Sequence, residues 1–247
     1  MIIGEREIGN GNPTYIIAEA GTNHFGDVER AKELVTVAAE CGADAIKFQA
    51  FVKDAPLFCP VEGDDERMPY WNDTVLGYDG WLGVSRRAHD AGIHFILSVF
   101  QDEAMRLLKL CDAAKVASRA AMTFPYDETD LPLIVSNGMM ERGDWIKIGP
   151  LIKGRECQFL SCVAKYPAPL SEALTSDYRH RITQMGLSDH SGTIWPSLYA
   201  ISHGCPMVEV HFRDARGKKS RDHAVGILPD QLKVICDYRD AVQEMTS

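Results

Sequence analysis

Three side chains able to move protons or bind ions stand side by side in GLSDHSG (186–192): Ser188, Asp189 and His190, between two glycines. A second stretch, VEVHFRD (208–214), adds Glu209 and His211, the latter 21 residues beyond His190. Imidazoles at the ends of consecutive strands can share a divalent ion, with positions left for water and a carbonyl oxygen. The same spacing also suits two rim histidines held by ordinary hydrogen bonds, and it does not choose between these readings.

Other reactive side chains end short apolar runs. AIKFQAF (45–51) carries Lys47 and Gln49, AKVAS (114–118) carries Lys115 and Ser118, and LPLIVS (131–136) ends on Ser136; Tyr166 follows CQFLSCV (157–163). Ammonium groups among the hydroxyls of Ser118, Ser136 and Ser188 suit a phosphate, supplying charge and hydrogen bonds together. Equally, the lysines could pair with Glu19, Asp44 or Glu209 in a structural network. Glu19 ends the buried-looking run TYIIAEAG (14–21), where a carboxylate has a perturbed pKa and can transfer protons. His24, in the loop beyond, reads either as a solvated loop residue or as part of the site.

The elements that must position these groups alternate. After the first run, DVERAKELVTVAAECG (27–42) has an apolar stripe at Val28, Ala31, Leu34, Val35 and Ala38, with Asp27 as its cap and Gly42 as its stop. Strands are expected at 14–21, 45–51, 94–100, 114–118, 131–136, 157–163, 185–191 and 207–213. Helices are expected near 78–91, 102–110, 142–152, 171–184, 194–203 and 229–245, whereas 119–130 is too short and too broken by Pro125. Eight strand–helix repeats in 247 residues predict a single-domain α/β TIM barrel over 1–247, with a hairpin-like N-terminal extension. An open doubly wound sheet is the alternative, but no glycine-rich phosphate loop follows the first strand. The long segment 52–77, rich in Pro, Asp and Glu, reads as a functional lid or a disordered loop.

Composition limits the partners. Lys+Arg 26 against Asp+Glu 35 gives a formal charge of −9, a poor match for nucleic acid or an anionic membrane. Positive charge for an anionic substrate must therefore be local. The 7 cysteines are odd in number and form no CxxC pair, so they read as reduced thiols of a cytoplasmic protein. No basic start followed by an apolar core marks a signal peptide, and no run approaches membrane-spanning length.

Seven stretches in order carry a resemblance: IIAEAGTNHFGDVERAKELVTVAAECGADAIKFQ, KVAS, IVSNGM, CVAKYPAP, GLSDHSG, VEVHF and RDHAVGILPDQLKVI. Together they resemble the sialic acid synthase (NeuB) family over most of 8–245. The resemblance implies a transferase that condenses phosphoenolpyruvate with an aldehyde sugar, N-acetylmannosamine or a related amino sugar, to give a sialic-acid-type 2-keto acid and phosphate. It implies that His190 and His211 hold a divalent metal, Mn2+ first and Mg2+ or Co2+ as alternatives. Lys47, Gln49, Lys115, Ser118, Ser136, Tyr166 and Ser188 are then substrate-binding, Glu19 faces the reacting centre, and Asp189 orients its neighbours in the catalytic set. A homodimer fits the family, as does the absence of nucleic-acid and membrane partners.

The sequence departs from the family at the sugar end. Arg119 and Ala120 follow Ser118 where the family has glycine and an acidic residue. Ala164 replaces an asparagine, Val99 a threonine and Asn137 another threonine. The barrel is expected to stand without the family's C-terminal antifreeze-like (SAF) domain, whose arginine reaches the sugar. Arg119 is therefore expected to contact substrate, and the acceptor is expected to differ from N-acetylmannosamine. Two other readings stay open: a catalytically degenerate barrel that binds a sugar or phosphorylated ligand, and a metal-dependent hydrolase or isomerase.

Overall fold

The computed structural model describes residues 1–141, 143–214 and 219–246. A small antiparallel hairpin, β1 (Ile2–Ile3) and β2 (Arg6–Glu7), precedes eight parallel strands. These are β3 (Tyr15–Gly21), β4 (Ala45–Ala50), β5 (His94–Val99), β6 (Ala113–Val116), β7 (Leu133–Ser136), β8 (Cys157–Cys162), β9 (Gly186–Asp189) and β10 (Met207–His211). Pairing of β10 with β3, from Met207 opposite Tyr15 to His211 opposite Glu19, closes the sheet into a barrel. Closure excludes the open-sheet alternative. The predicted strands are all present, each trimmed by one to a few residues, and β6 also starts one residue earlier than expected, at Ala113.

Helices cover the outside. α1 (Val28–Glu40) starts at Asp27, whose carboxylate accepts from the backbone N–H of Glu29 and Arg30 at 2.9 and 3.2 Å. It buries Ala31, Leu34, Val35 and Ala38, the stripe expected from the sequence. The segment 52–77, expected as a lid or a disordered loop, contains an ordered helix, α2 (Asp64–Asn72), despite Pro69 inside it. Then come α3 (Tyr78–Asp90), α4 (Asp144–Leu151), α5 (Ser176–His180), α6 (Trp195–Ser202) and α7 (Pro229–Thr246). Residues 102–110 wind as 3-10 rather than α helix. The helix expected over 171–184 shrinks to α5, because Thr175 caps it late by accepting from Tyr178 N–H at 3.1 Å. The expected start of α4, Arg142, lies outside the described residues.

Strand alternation sorts side chains into two sets. One set, including Ile16, Ala18, Ile46, Phe48, Phe95, Leu97, Val116, Val135, Leu187 and Val208, packs outward under the helices. The other points into the barrel, and its lower layer is apolar: Ile17, Ala45, Ile96, Ala113, Ile134, Leu160 and Met207, all fully buried. Gly186 belongs to this layer because a Cβ there would collide with the Leu160 side chain and stand 2.7 Å from the Met207 carbonyl oxygen. Ile3 and Ile8, from the N-terminal hairpin and the turn after it, press against this layer and plug the lower end. Each such buried aliphatic side chain contributes about 1.5–3 kcal/mol. Below, Asp44 accepts from Ile16 N–H at 2.7 Å and pairs with Arg6 and Arg239.

All seven cysteines are unpaired and five of them are buried, in line with the thiol reading. Among the described residues no helix is long and apolar enough to cross a membrane.

Candidate active site

The upper layer of the barrel interior is charged. Continuing the inward parity of β3, β4, β6 and β10 gives Glu19, Lys47, Lys115 and Glu209, each at least 97% buried. They floor a cavity of about 450 Å³ at the C-terminal ends of the strands, a volume ordinary for a small-molecule site. Eleven of the twelve residues expected at the site line it: Glu19, Lys47, Gln49, Lys115, Ser118, Arg119, Ser136, Tyr166, Ser188, His190 and His211.

Asp189 is the exception. It alternates away from Ser188, and its carboxylate accepts from Ser191 N–H at 2.9 Å and from Ser197 Oγ at 2.8 Å, tying the turn after β9 to α6. Its catalytic assignment is corrected to a structural one, since parity aims it behind the sheet.

The floor is a network of opposite charges. Lys47 Nζ lies 2.6 Å from Glu19 Oε2 and 3.7 Å from Glu209 Oε2, and donates to Ser98 Oγ at 3.2 Å. Lys115 Nζ donates to Ser136 Oγ at 2.8 Å and stands 3.9 Å from Glu209 Oε2. Glu209 Oε1 accepts from Ser188 Oγ at 2.9 Å. The lysines thus both pair with carboxylates and face the cavity, while Asp44, once an equal candidate partner, sits at the other end of the barrel. Burial pushes the Glu19 carboxyl up; Lys47 opposes this and Glu209 adds to the rise. Burial would raise Glu209 too, but Lys115 and Lys47 outweigh it and hold its carboxyl down. One carboxyl is therefore poised to carry a proton while its neighbour stays ionised.

The two histidines meet above this floor, with ring centroids 5.2 Å apart. His190 Nδ1 is 2.8 Å from the Val163 carbonyl oxygen, so Nδ1 carries the proton; the Nε2 lone pair faces the cavity with the Tyr166 and Ser188 hydroxyls each 3.3 Å away, contacts that a ligand would replace. Tyr166 lays its ring over His190 at 4.3 Å. Burial, then the neighbouring His211, lowers the His190 pKa to about 3. Burial, then Lys47, lowers that of His211 to about 4. Both rings are neutral at pH 7, the form that binds metals. Among the described residues His211 Nδ1, buried, has no hydrogen-bond partner, and Asp222 Oδ2 stands 3.7 Å away. Two neutral imidazoles, one with its tautomer fixed and one with an orphaned nitrogen, fit a divalent cation by donor chemistry. Among the described residues no set of three or more His, Cys, Asp or Glu side chains forms a metal cage, so any further ligands would be water or substrate.

Gly21 makes room for this arrangement. The β3–β4 register shifts between Glu19 and Gly21, Gly21 adopts φ +55°, and a Cβ there would stand 2.9 Å from Asp222 Oδ2. Ser118 accepts from Gly138 N–H at 3.1 Å and lies 3.2 Å from Cys162 Sγ.

Arg119 lines the mouth but is committed to the protein. Its guanidinium donates to Asp64 Oδ2 at 2.5 Å and to the Cys59 carbonyl oxygen at 2.6 Å, and lies 5.9 Å from the Trp71 ring centre. It thus pins α2 over the cavity. Gln101, buried, fastens the start of the same excursion, accepting from Val52 N–H at 2.7 Å and donating to the Ala55 carbonyl at 2.7 Å. His24 is neither solvated nor in the site: it packs against Phe48 and Trp81 in the outer core.

Glu209, one of the lysine partners offered by the sequence, takes its place on the floor because period-two parity in VEVHF puts it on one face with His211. Asp222 and Asp64 were missing from the expected site. Nothing local marks Asp64 or Asp222, which reach the site through long-range contacts.

A barrel with lysines, hydroxyls and paired imidazoles at its C-terminal mouth defines a class of small-molecule enzyme scaffold. The chain belongs to the NeuB family of sugar-acid synthases, whose sequence profile matches residues 34–247. It is 29% identical to the N,N'-diacetyllegionaminic acid synthase of Campylobacter jejuni, over 94% of this chain and 77% of that protein. It is 28% identical to human N-acetylneuraminate-9-phosphate synthase, over 92% of this chain and 69% of that one. The crystal structure of an N-acetylneuraminic acid synthetase from Leptospira borgpetersenii matches with a TM-score of 0.88 at 25% identity, covering 99% of this chain and 89% of that one.

Proposed function

We propose that this protein condenses phosphoenolpyruvate with an acylated amino-sugar aldehyde, giving a 2-keto sugar acid and phosphate. The observation that carries this reading is the meeting of two neutral imidazoles with two lysines and several hydroxyls on one cavity floor. With Glu19 holding a proton and Glu209 ionised, the two lysines leave the floor only about one net positive charge, so a trianionic enol phosphate calls for more. A divalent cation, Mn2+ by preference, would be held by His190 and His211 and would supply that charge and polarise the acceptor's carbonyl oxygen.

The chain's own groups do the rest. Lys47 and Lys115 exchange carboxylate partners for the anionic groups of phosphoenolpyruvate, with Ser118, Ser136 and Ser188 donating alongside. The enol methylene carbon bonds to the aldehyde carbon. Glu19 passes a proton to the new alkoxide. A water oxygen adds to the former enol carbon and one water proton restores Glu19; the bond between that carbon and the phosphate oxygen then breaks, the added oxygen becomes the ketone oxygen, and the second water proton leaves on phosphate. Tyr166, stacked on His190, shields this centre from bulk solvent.

Phosphate release that requires phosphoenolpyruvate, an aldehyde and a divalent ion, and that stops on chelation, is the expected result. Intact protein that takes up no phosphoenolpyruvate in calorimetry overturns the proposal. The existing pairing of both lysines favours one second reading, a barrel that binds without turnover. Uptake of phosphoenolpyruvate with no phosphate release from any acceptor selects it.

A further inference from the structure

One side of the cavity is built by the excursion between β4 and α3, which lends it Leu57, Val61, Arg67 and Trp71. Both ends of this excursion are anchored. At the near end Gln101 holds Val52 and Ala55, and Phe58 N–H donates to the Phe100 carbonyl oxygen at 2.8 Å. At the far end Trp71 stacks on Phe51 at 5.0 Å, Phe51 stacks on Phe100 at 5.1 Å, and Tyr70 Oη meets Thr22 Oγ1 at 2.7 Å. The stretch between the anchors, 59–68, is held differently. Val61 and Met68 stand outside the hydrophobic core, and Gly63, at φ +83°, turns the chain into α2 with no capping side chain. Among the described residues, every hydrogen bond and ion pair from 59–68 to the rest of the molecule is made by Arg119. Its Nη1 donates to Asp64 Oδ1 at 3.2 Å, and its Nη2 to Asp64 Oδ2 at 2.5 Å and to the Cys59 carbonyl oxygen at 2.6 Å.

We infer that Asp64 and Arg119 form a latch, a positioning pair that keeps 59–68 shut along the cavity and sets how fast ligands exchange with its floor. The pair is strong enough to hold, being bidentate and largely buried, with side-chain exposures of 18% for Arg119 and 6% for Asp64. It is also built to open. Arg67, on the moving stretch itself, donates to Asp64 Oδ1 at 3.2 Å, so the carboxylate keeps a cationic partner when Arg119 lets go. Arg119 in turn sits at the rim, one residue past Ser118 on the same 3-10 turn, where its released guanidinium meets solvent. A latch that favours the shut form equally with and without ligand slows entry and exit together and leaves affinity alone. The identity of the ligand rests on the condensation reading; the latch is a property of the free protein.

Arg119→Gln with Asp64→Asn removes the latch without changing the net charge at the mouth. In stopped-flow mixing of phosphoenolpyruvate with the manganese-loaded protein, its association and dissociation rates are expected to rise together by about tenfold, the scale of one charge-assisted hydrogen-bonded pair, with the dissociation constant unchanged. Arg119→Lys keeps the charge but cannot span both carboxylate oxygens, and is expected to fall between the double variant and the unaltered protein. Hydrogen exchange on the ligand-free protein gives a second reading. Val61 N–H donates to Asp64 Oδ2 at 2.8 Å, the same oxygen that Arg119 holds. In Arg119→Gln alone, which leaves Asp64 whole, the Val61 amide should exchange about tenfold faster while the amides of β4 and β5 keep their rates. A weaker dissociation constant with an unchanged association rate marks an arginine that touches ligand, and overturns the inference. So does Val61 exchange that stays unchanged, or that rises equally throughout the barrel as loss of a merely structural pair would make it. Absence of phosphoenolpyruvate uptake sinks the condensation reading instead, and hydrogen exchange still decides the latch.

Discussion

The barrel interior holds two layers built by the same strands and the same parity, yet opposite in chemistry. The lower layer is aliphatic and closed by Ile3 and Ile8. Two residues further along the same strands, Ile17 gives way to Glu19, Ala45 to Lys47, Ala113 to Lys115 and Met207 to Glu209. The lower layer supplies cohesion. The upper one withholds it, because pairing among its buried ionisable groups recovers little more than their lost hydration. Stability and chemistry are thus stacked along one axis, and substitutions can pull them apart.

Removing both imidazoles, His190→Ala with His211→Ala, is expected to lower turnover by about a thousandfold, on the scale of losing a main transition-state contact, while the urea midpoint shifts little. Metal calorimetry on the same variant should show no high-affinity uptake. A lower-layer change reverses the pattern. Ile96→Ala should cost about 2–5 kcal/mol in equilibrium unfolding and leave kcat per folded molecule intact. If Ile96→Ala cuts turnover in the folded fraction, the division between layers is wrong.

The outer core offers a third contrast through acid titration. His24 is buried and held neutral, its pKa lowered from 6.5 to about 4, first by burial and then by Arg30. The unfolded chain therefore takes up a proton that the folded one refuses. Stability from this residue is complete above about pH 6.5 and drains away as pH falls towards 4, by roughly 3 kcal/mol in all. His24→Asn retains an acceptor for the Gly26 N–H, and should flatten the slope of unfolding free energy between those pH values. The smallest shift in stability is expected from neutralising one floor pair: Lys47→Met with Glu19→Leu should abolish turnover yet raise the unfolding free energy by about 1 kcal/mol.

Much of this was legible in the sequence because it follows from period and burial. The α1 stripe from Ala31 to Ala38 and the runs that became β3 to β10 announce themselves locally. The convergence of Lys47, Lys115, Ser136 and His211 follows once the strands are set in a barrel. Asp189 misled because adjacency in GLSDHSG looks like proximity, whereas neighbours on a strand face opposite ways. Residues 64–72 gave no helical signal: Pro69 interrupts them and no apolar stripe runs through. The contacts that hold α2 over the cavity come from Arg119, 55 residues later, and from the ring of Phe51. Arg119 looked like a ligand for substrate because its partner, Asp64, is invisible at that range.

The hairpin stopper has a consequence for traffic. With the lower end of the barrel corked, the cavity is a blind well. Anything that reaches Lys47 and Lys115 enters and leaves past Phe51, Trp71 and Phe100 at the brim.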